Sequence, residues 1–313
     1  MVKVFYHNDP DGWCSAFWVR KYLESQKIEF CADDFIEMNY DRKFPMDKVQ
    51  LGEQVSMVDF CLNDPEQMVQ LAANCYFTWI DLHKSAIEKM STYMSNYTFR
   101  GIRYDGIAAC ALTWAYFHFK FYKPEPERLN GQLGFSLNAT ETLNLAPLFT
   151  QYIHLWDTWQ WKTHDCSGGI EAFITYLMSV DCNPLSDMWD DFEFDGSGDS
   201  QTLNFIIKGQ SMIAFRNGYA QGLCSSIGKT IEFEGFRCFV CNMGHVSSEW
   251  FKSVSDFDIM MPFYYNAQTE QFCFSLYTTK DIDVSKIAVK YGGGGHCGAA
   301  GFQSKTLPWL DIC

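Results

Sequence analysis

Apolar residues in the first hundred positions fall into short β-branched or aromatic runs, each ending in acidic or imidazole groups and followed by a segment of helical spacing. The run at residues 2–6 ends in His7-Asn8-Asp9-Pro10-Asp11-Gly12, and a helix is expected over 15–23. If strand geometry continues through the polar stretch, His7, Asp9 and Asp11 alternate onto one side. Gly12 then lets the chain turn without a Cβ in the way. The run 54–60 carries Asp59, and Pro65 with Glu66 opens a helix to about residue 74, capped by Asn63 or Asp64. The run 75–80 leads into Asp81-Leu82-His83-Lys84-Ser85 and a helix over 86–94. Strand, acidic turn and helix repeated three times is the βαβ rhythm of a parallel sheet, whose strand ends hold ligands.

A further unit is expected at 99–106, with a helix apolar nearly all round over 107–119. After a polar, proline-containing loop at 123–134, residues 143–161 read as helical and hold Asp157 among aromatics. A buried carboxylate there is costly unless a cation or hydrogen-bond donors satisfy it. Residues 195–200 are the most linker-like stretch, and a helix over about 202–223 crosses to a second part. That part has strand-like runs at 230–233, 237–241, 258–264 and 271–277, and helices at 248–253 and 283–291. The fold class expected is α/β: an N-terminal mainly parallel-sheet domain (1–180), a linker and connecting helix (181–224) and a smaller C-terminal mixed-sheet α/β domain (225–313).

Composition narrows the chemistry. The chain has 313 residues, 47% hydrophobic and 17% aromatic, which excludes a disordered polymer. Its net charge is −14, so a long duplex read through its phosphates is not an expected partner. Thirteen scattered cysteines without a leader-like start point to a reducing, cytoplasmic setting, and no apolar run is long enough for a membrane. The lone Cys238-x-x-Cys241 lies in a strand-like run and is read as packing.

Two stretches carry candidate chemistry. Asp-Pro-Asp-Gly at 9–12 is equally a common surface turn, and taken alone the metal and turn readings stand level; three acid-tipped strands favour a site for a hard divalent cation. Gly292-Gly293-Gly294-Gly295-His296 sits between apolar elements, unlike a Gly/Ser linker, and its bare N–H groups suit a phosphate nest, with Ala299 and Ala300 opening a helix beyond it.

Together, His7-Asn8-Asp9-Pro10-Asp11-Gly12, Val58-Asp59, Asp81-Leu82-His83-Lys84-Ser85-Ala86, Asp157-Thr158-Trp159 and Gly292 to Phe302 resemble the DHH phosphoesterase superfamily, over nearly the whole chain. That superfamily includes RecJ-like exonucleases, nano-RNases, adenosine-bisphosphate phosphatases and cyclic-dinucleotide phosphodiesterases. The resemblance implies two Mn²⁺ ions, or Mg²⁺, with His7 and Asp9 on one, Asp11 and Asp157 on the other and Asp59 bridging. It implies Asp59, Asp81 and His83 as the catalytic set, with His83, Tyr277, Gly293, Gly294, Gly295 and His296 binding substrate. The implied substrate is a short oligonucleotide or small phosphorylated nucleotide; pyrophosphate or polyphosphate is a third possibility, and a homodimer stays open. Two positions depart from the pattern. Leu82 stands where the family has a metal-binding histidine, so nucleotide binding without efficient turnover is the alternative, with His154 considered as a substitute ligand. Tyr277 stands where several relatives have an arginine.

Overall fold

The computed structural model describes residues 1–40, 42–97, 99–118, 128–129, 132–133, 143–192 and 200–310, and the expected linker at 195–200 lies almost wholly outside them. The chain divides into two compact units, Met1–Gln210 and Ser211–Cys313.

In the first unit, strands β1 (Val2–His7), β2 (Phe35–Met38), β3 (Gln54–Val58) and β4 (Tyr76–Ile80) form a sheet of order β2-β1-β3-β4, parallel throughout. Alternation along β1 sends Val2, Val4 and Tyr6 into one apolar cluster and Phe5 into another, so both faces of the sheet are covered. Helices α1 (Pro10–Ser25) and α4 (Ala109–His118) supply Ala16, Val19, Leu23, Ala111 and Leu112 to the first cluster. Helices α2 (Pro65–Asn74) and α3 (Lys84–Met94) supply Met68, Leu71 and Met90 to the second. The apolar α4 packs between α1 and α5 (Leu148–Asp157), as its all-round hydrophobicity required. Helix α6 (Ser167–Leu177) extends this layer with Phe173 and Ile174, against Phe149 and Trp189. Residues 99–103 run beside β4 through Trp79 N–H to Arg100 O and Asp81 N–H to Ile102 O, as bridges rather than a regular strand.

In the first unit three expectations are corrected. Helix α1 begins at Pro10, not at 15, because Asp9 is extended and caps it, its Oδ1 accepting from Gly12 N–H at 2.8 Å. Strand geometry therefore stops at His7, and Asp9 and Asp11 are presented by a helix start. Gly12 serves close approach instead of a turn: a Cβ there would lie 2.1 Å from His7 O. The third correction is β2, an edge strand inside a segment read only as charged connection.

Helix α7 (Ser200–Ile227) spans the division between the units. The second unit is a six-stranded mixed sheet of order β11-β12-β10-β9-β8-β7, from β7 (Lys229–Phe233), β8 (Phe236–Asn242), β9 (Ile259–Asn266), β10 (Gln271–Tyr277), β11 (Gly294–His296) and β12 (Ala299–Ser304). Only the β8–β9 pair is parallel. Helix α8 (Val284–Lys290), capped by the Asp283 carboxylate, sets Val284, Ile287 and Ala288 against Phe274, Leu276 and Phe302. Cys238 and Cys241 are free thiols buried in this unit, in keeping with packing. Ala299 and Ala300 pair in β12 with His296 and Gly295 and open no helix, which corrects the expectation for that stretch. Among the described residues no helix is long and apolar enough to cross a membrane.

Candidate active site

The ends of β1, β3 and β4 bring three of the acid-bearing stretches together. His7 Nδ1–H donates to Asp9 Oδ2 at 2.7 Å and lies 3.7 Å from Asp59 Oδ2. On the other side of Asp59, His83 Nδ1 is 3.8 Å from its Oδ1 and donates to Asp81 Oδ1 at 2.8 Å. Among the described residues two donor sets could thus hold a cation, His7/Asp9/Asp59 and Asp59/Asp81/His83, with Asp59 common to both. Asp59 follows β3 with φ 54°, a left-handed backbone that Asp tolerates better than most residues. It is 1% exposed, and its Oδ2 has no hydrogen-bond partner.

The two neighbouring carboxylates are held differently. Asp81, fully buried, accepts from His83 N–H and Nδ1–H on Oδ1 and from the Trp79 indole on Oδ2. It is therefore placed to fix the orientation of the His83 ring through Nδ1, leaving Nε2 as the nitrogen that can meet a ligand. Asp11 accepts from Ala109 N–H at 2.8 Å and Cys110 N–H at 2.7 Å, tying α1 to the start of α4. Each Asp11 oxygen retains a second lone pair.

The electrostatics follow from burying like charges. Burial, then the charges of Asp11, Asp9 and Asp157, holds the Asp59 carboxyl well above its ordinary value. Burial and then Asp9 raise Asp11 to about 6, against the pull of the α4 N–H groups. Burial, then Asp11 and Asp9, raise Asp157 to about 8, with His83 opposing, so Asp157 at the end of α5 belongs to the same electrostatic cluster. Asp9 differs: burial pushes it up, but the bonds from His7 and Gly12 outweigh this and hold it below the usual value. The hydrogen bond to Asp81 raises His83 to about 9. Carboxyls this close cannot all ionise at neutral pH unless a cation compensates them.

His154 is not the substitute ligand considered for Leu82. Its Nδ1 accepts from Ala108 N–H at 3.1 Å, and burial lowers it to about 4. The neutral ring then carries its proton on Nε2 and has no lone pair left for a metal. Tyr40 was not legible in the sequence as part of this region. Its ring lies 5.5 Å from His7 and 4.8 Å from Phe60, and the residue stays 44% exposed. Its stretch read as a connector, and no spacing marked it.

The remaining candidates belong to the second unit. His296 and Gly293–Gly295 are exposed, on and beside the β11–β12 hairpin. Tyr277 is half-buried and its hydroxyl donates to Val246 O at 3.1 Å, so its one proton is committed within the unit.

No protein-family model matches the chain, and no curated protein matches it. Among solved structures it is similar to the pGpG-specific phosphodiesterase PggH from Vibrio cholerae, with 12% identity, a TM-score of 0.50, and coverage of 97% of this chain and 93% of that one. It also matches the DHH domain of a member of a family of ribosomal proteins (10% identity, 96% and 82% covered, TM-score 0.48). A third match is exonuclease RecJ bound to manganese (12% identity, 96% and 85% covered, TM-score 0.47). The likeness to PggH is one of fold, and along this chain that fold is a parallel-sheet unit followed by a mixed-sheet unit.

Proposed function

We propose that the protein is a divalent-metal-dependent phosphoesterase that hydrolyses short oligonucleotides or small nucleotides. The observation that carries this reading is Asp59: a buried carboxylate, one oxygen without a partner, shared by two sets of metal-donor side chains. Such a group is strongly unfavourable in a metal-free fold and suits a carboxylate that links two cations. The donor set, carboxylate and imidazole without thiolate, fits Mn²⁺ or Mg²⁺. His7, Asp9 and Asp59, the first of those sets, would hold one ion; the resemblance assigns the other to Asp11, Asp157 and Asp59, which leaves Asp81 to orient His83 toward substrate. Bound there, the ions would supply an activated water and neutralise charge on the phosphoryl oxygens.

The side chains around them have separable tasks. Asp81 and the Trp79 indole hold His83 in one orientation, so its Nε2 is available to a phosphoryl oxygen without reorganisation. On the second unit, Gly293–Gly295 and His296 are assigned to substrate binding; the Gly293 N–H is already given to Ala288 O, so the exposed His296 imidazole is the group most open to an anion. The acidic chain favours a short substrate, since few cations stand ready for a long phosphate track.

A second reading, nucleotide binding without efficient turnover, is favoured by Leu82, which offers no lone pair, and by His154, which cannot replace it. One experiment separates the two. The purified chain with Mn²⁺ or Mg²⁺ is incubated with di- to pentanucleotides, pGpG, adenosine bisphosphate, cyclic dinucleotides and pyrophosphate. Metal-dependent release of mononucleotide or phosphate is expected. Binding of a panel member without its consumption would leave the second reading, and failure to bind either Mn²⁺ or Mg²⁺ by calorimetry would remove the enzymatic one.

A further inference from the structure

Beside the carboxylate cluster stands a side chain that the fold does not use. Helix α5 ends at Asp157, Thr158 caps it, and Trp159 follows with φ 60° and ψ 11°. The turn is well determined: Thr158 N–H and Oγ1 both donate to His154 O, Trp159 N–H donates to Trp156 O, and Gln160 Nε2 donates to Thr158 Oγ1. Below it, Trp156 and Trp161 stack at 4.8 Å and 25°. Trp159 takes no part in that packing and is 71% exposed. An indole here is doubly unfavourable, since it leaves a large apolar ring in water and imposes a left-handed backbone on a residue with a Cβ. Lys162 Nζ lies 4.9 Å from the ring centroid, the one cation or aromatic group found on that ring among the described residues.

The position suggests a use. Trp159 is two residues from Asp157, within about 7 Å along an extended chain, and the same helix end reaches the cluster through His154, whose Nδ1 accepts from Ala108 N–H next to the Ala109 N–H that Asp11 holds. Taking the cluster as the phosphate site, as proposed above, we infer that Trp159 is the stacking platform for the base of the bound nucleotide, with Lys162 placing a positive charge beside it. Indole accepts any base, so the contact selects nucleotides over pyrophosphate or polyphosphate without selecting sequence.

The test is calorimetric binding of adenosine 5′-monophosphate and of ribose 5-phosphate to the full chain with Mn²⁺, in wild type and in Trp159→Ala, Trp159→Phe and Trp159→Gly. Wild type is expected to prefer the base-bearing ligand by about tenfold or more. Trp159→Ala and Trp159→Gly should abolish that preference, while Trp159→Phe should keep most of it. Trp159→Gly should melt no lower than wild type, since glycine suits the backbone, which separates a binding role from a structural one. Equal affinity of wild type for the two ligands, an unchanged preference in Trp159→Ala, or no binding of either ligand would overturn the inference. Intact hydrolysis of the panel with no base preference would sink this inference alone; a base preference without hydrolysis would sink the enzymatic reading alone.

Discussion

At the ends of β1, β3 and β4 the chemistry-bearing side chains are buried and fixed by several partners, whereas on the β11–β12 hairpin they are exposed and fixed by little. Asp11 and Asp81 each accept two or more hydrogen bonds from groups that cannot move away. His296 is exposed, and Gly294, which pairs across the hairpin with Gly301, would meet nothing within 4 Å if it carried a Cβ. Burial makes the first region a place where charge is expensive and a cation welcome. The hairpin teaches a different lesson, because part of its glycine content is explained by packing. A Cβ at Gly293 would stand 2.1 Å from Gly301 O, and one at Gly295 would stand 2.5 Å from Ala300 Cα. Bare backbone in that run therefore serves strand contact at some positions and is free to serve a ligand only at others.

The sharpest way to break this contrast is Asp59→Asn, which keeps shape and tolerance of positive φ but removes the shared charge. Turnover of any panel substrate should fall by about 10³-fold or more, the scale of removing a main electrostatic element, while the metal-free protein should resist urea better. Equal losses of turnover and of stability would mean that Asp59 holds the fold and not a cation. The hairpin is tested by a pair of glycine variants. Gly293→Ala should destabilise the second unit by about 1–3 kcal/mol through overpacking, and Gly294→Ala should change stability by less than about 0.5 kcal/mol. If Gly294→Ala nevertheless weakens nucleotide binding, measured by calorimetry, its N–H belongs to the ligand.

How far the sequence disclosed these regions depends on whether the signal was local. The strand–acid–helix order and the α2 boundaries were legible because period-two runs, Pro65 and the Asp64 cap are local features. The start of α1 was not, because Asp9-Pro10-Asp11-Gly12 satisfies both a turn and a capped helix, and only the close approach to His7 decides between them. β2 escaped because an edge strand needs only one apolar face, and Glu37 interrupts a run of four. The carboxylates could be named, but not their division of labour: Asp11 binds N–H groups 98 and 99 residues later, and His154 is spent on Ala108, 46 residues earlier. Both are tertiary facts without a signature in spacing.

The pH response separates the two regions on a smaller scale. Asp11 and Asp157 have folded values near 6 and 8, above their unfolded value of 3.8, so between pH 4 and 8 the folded chain binds more protons than the unfolded one. Stability from these groups is therefore fully present below the unfolded value and is lost as pH rises through the folded ones, by about 1.4 kcal/mol per pH unit per fully shifted group. Melting of the metal-free protein should accordingly show a downward contribution from pH 5 to 8 that is shallower in Asp157→Asn. Added Mn²⁺ should stabilise more at pH 8 than at pH 5, because the cation binds the ionised form. A metal effect independent of pH would detach the cation from these carboxyls.

The smallest expected effect concerns Leu82. Its neighbours Asp81 and His83 are already engaged with each other, and His154 has no lone pair to lend, so Leu82→His would add an imidazole the site now lacks. Half-saturating Mn²⁺ in the hydrolysis assay should fall by about tenfold, the lower end of the range by which single groups around a metal alter its affinity. Turnover at saturating Mn²⁺ should move by less than about threefold, because Asp59, on which both donor sets depend, is unchanged. An unaltered metal requirement would mean that the existing carboxylates complete the set. In that case the leucine is a neutral replacement in a working site, and the reading of binding without turnover loses its main support.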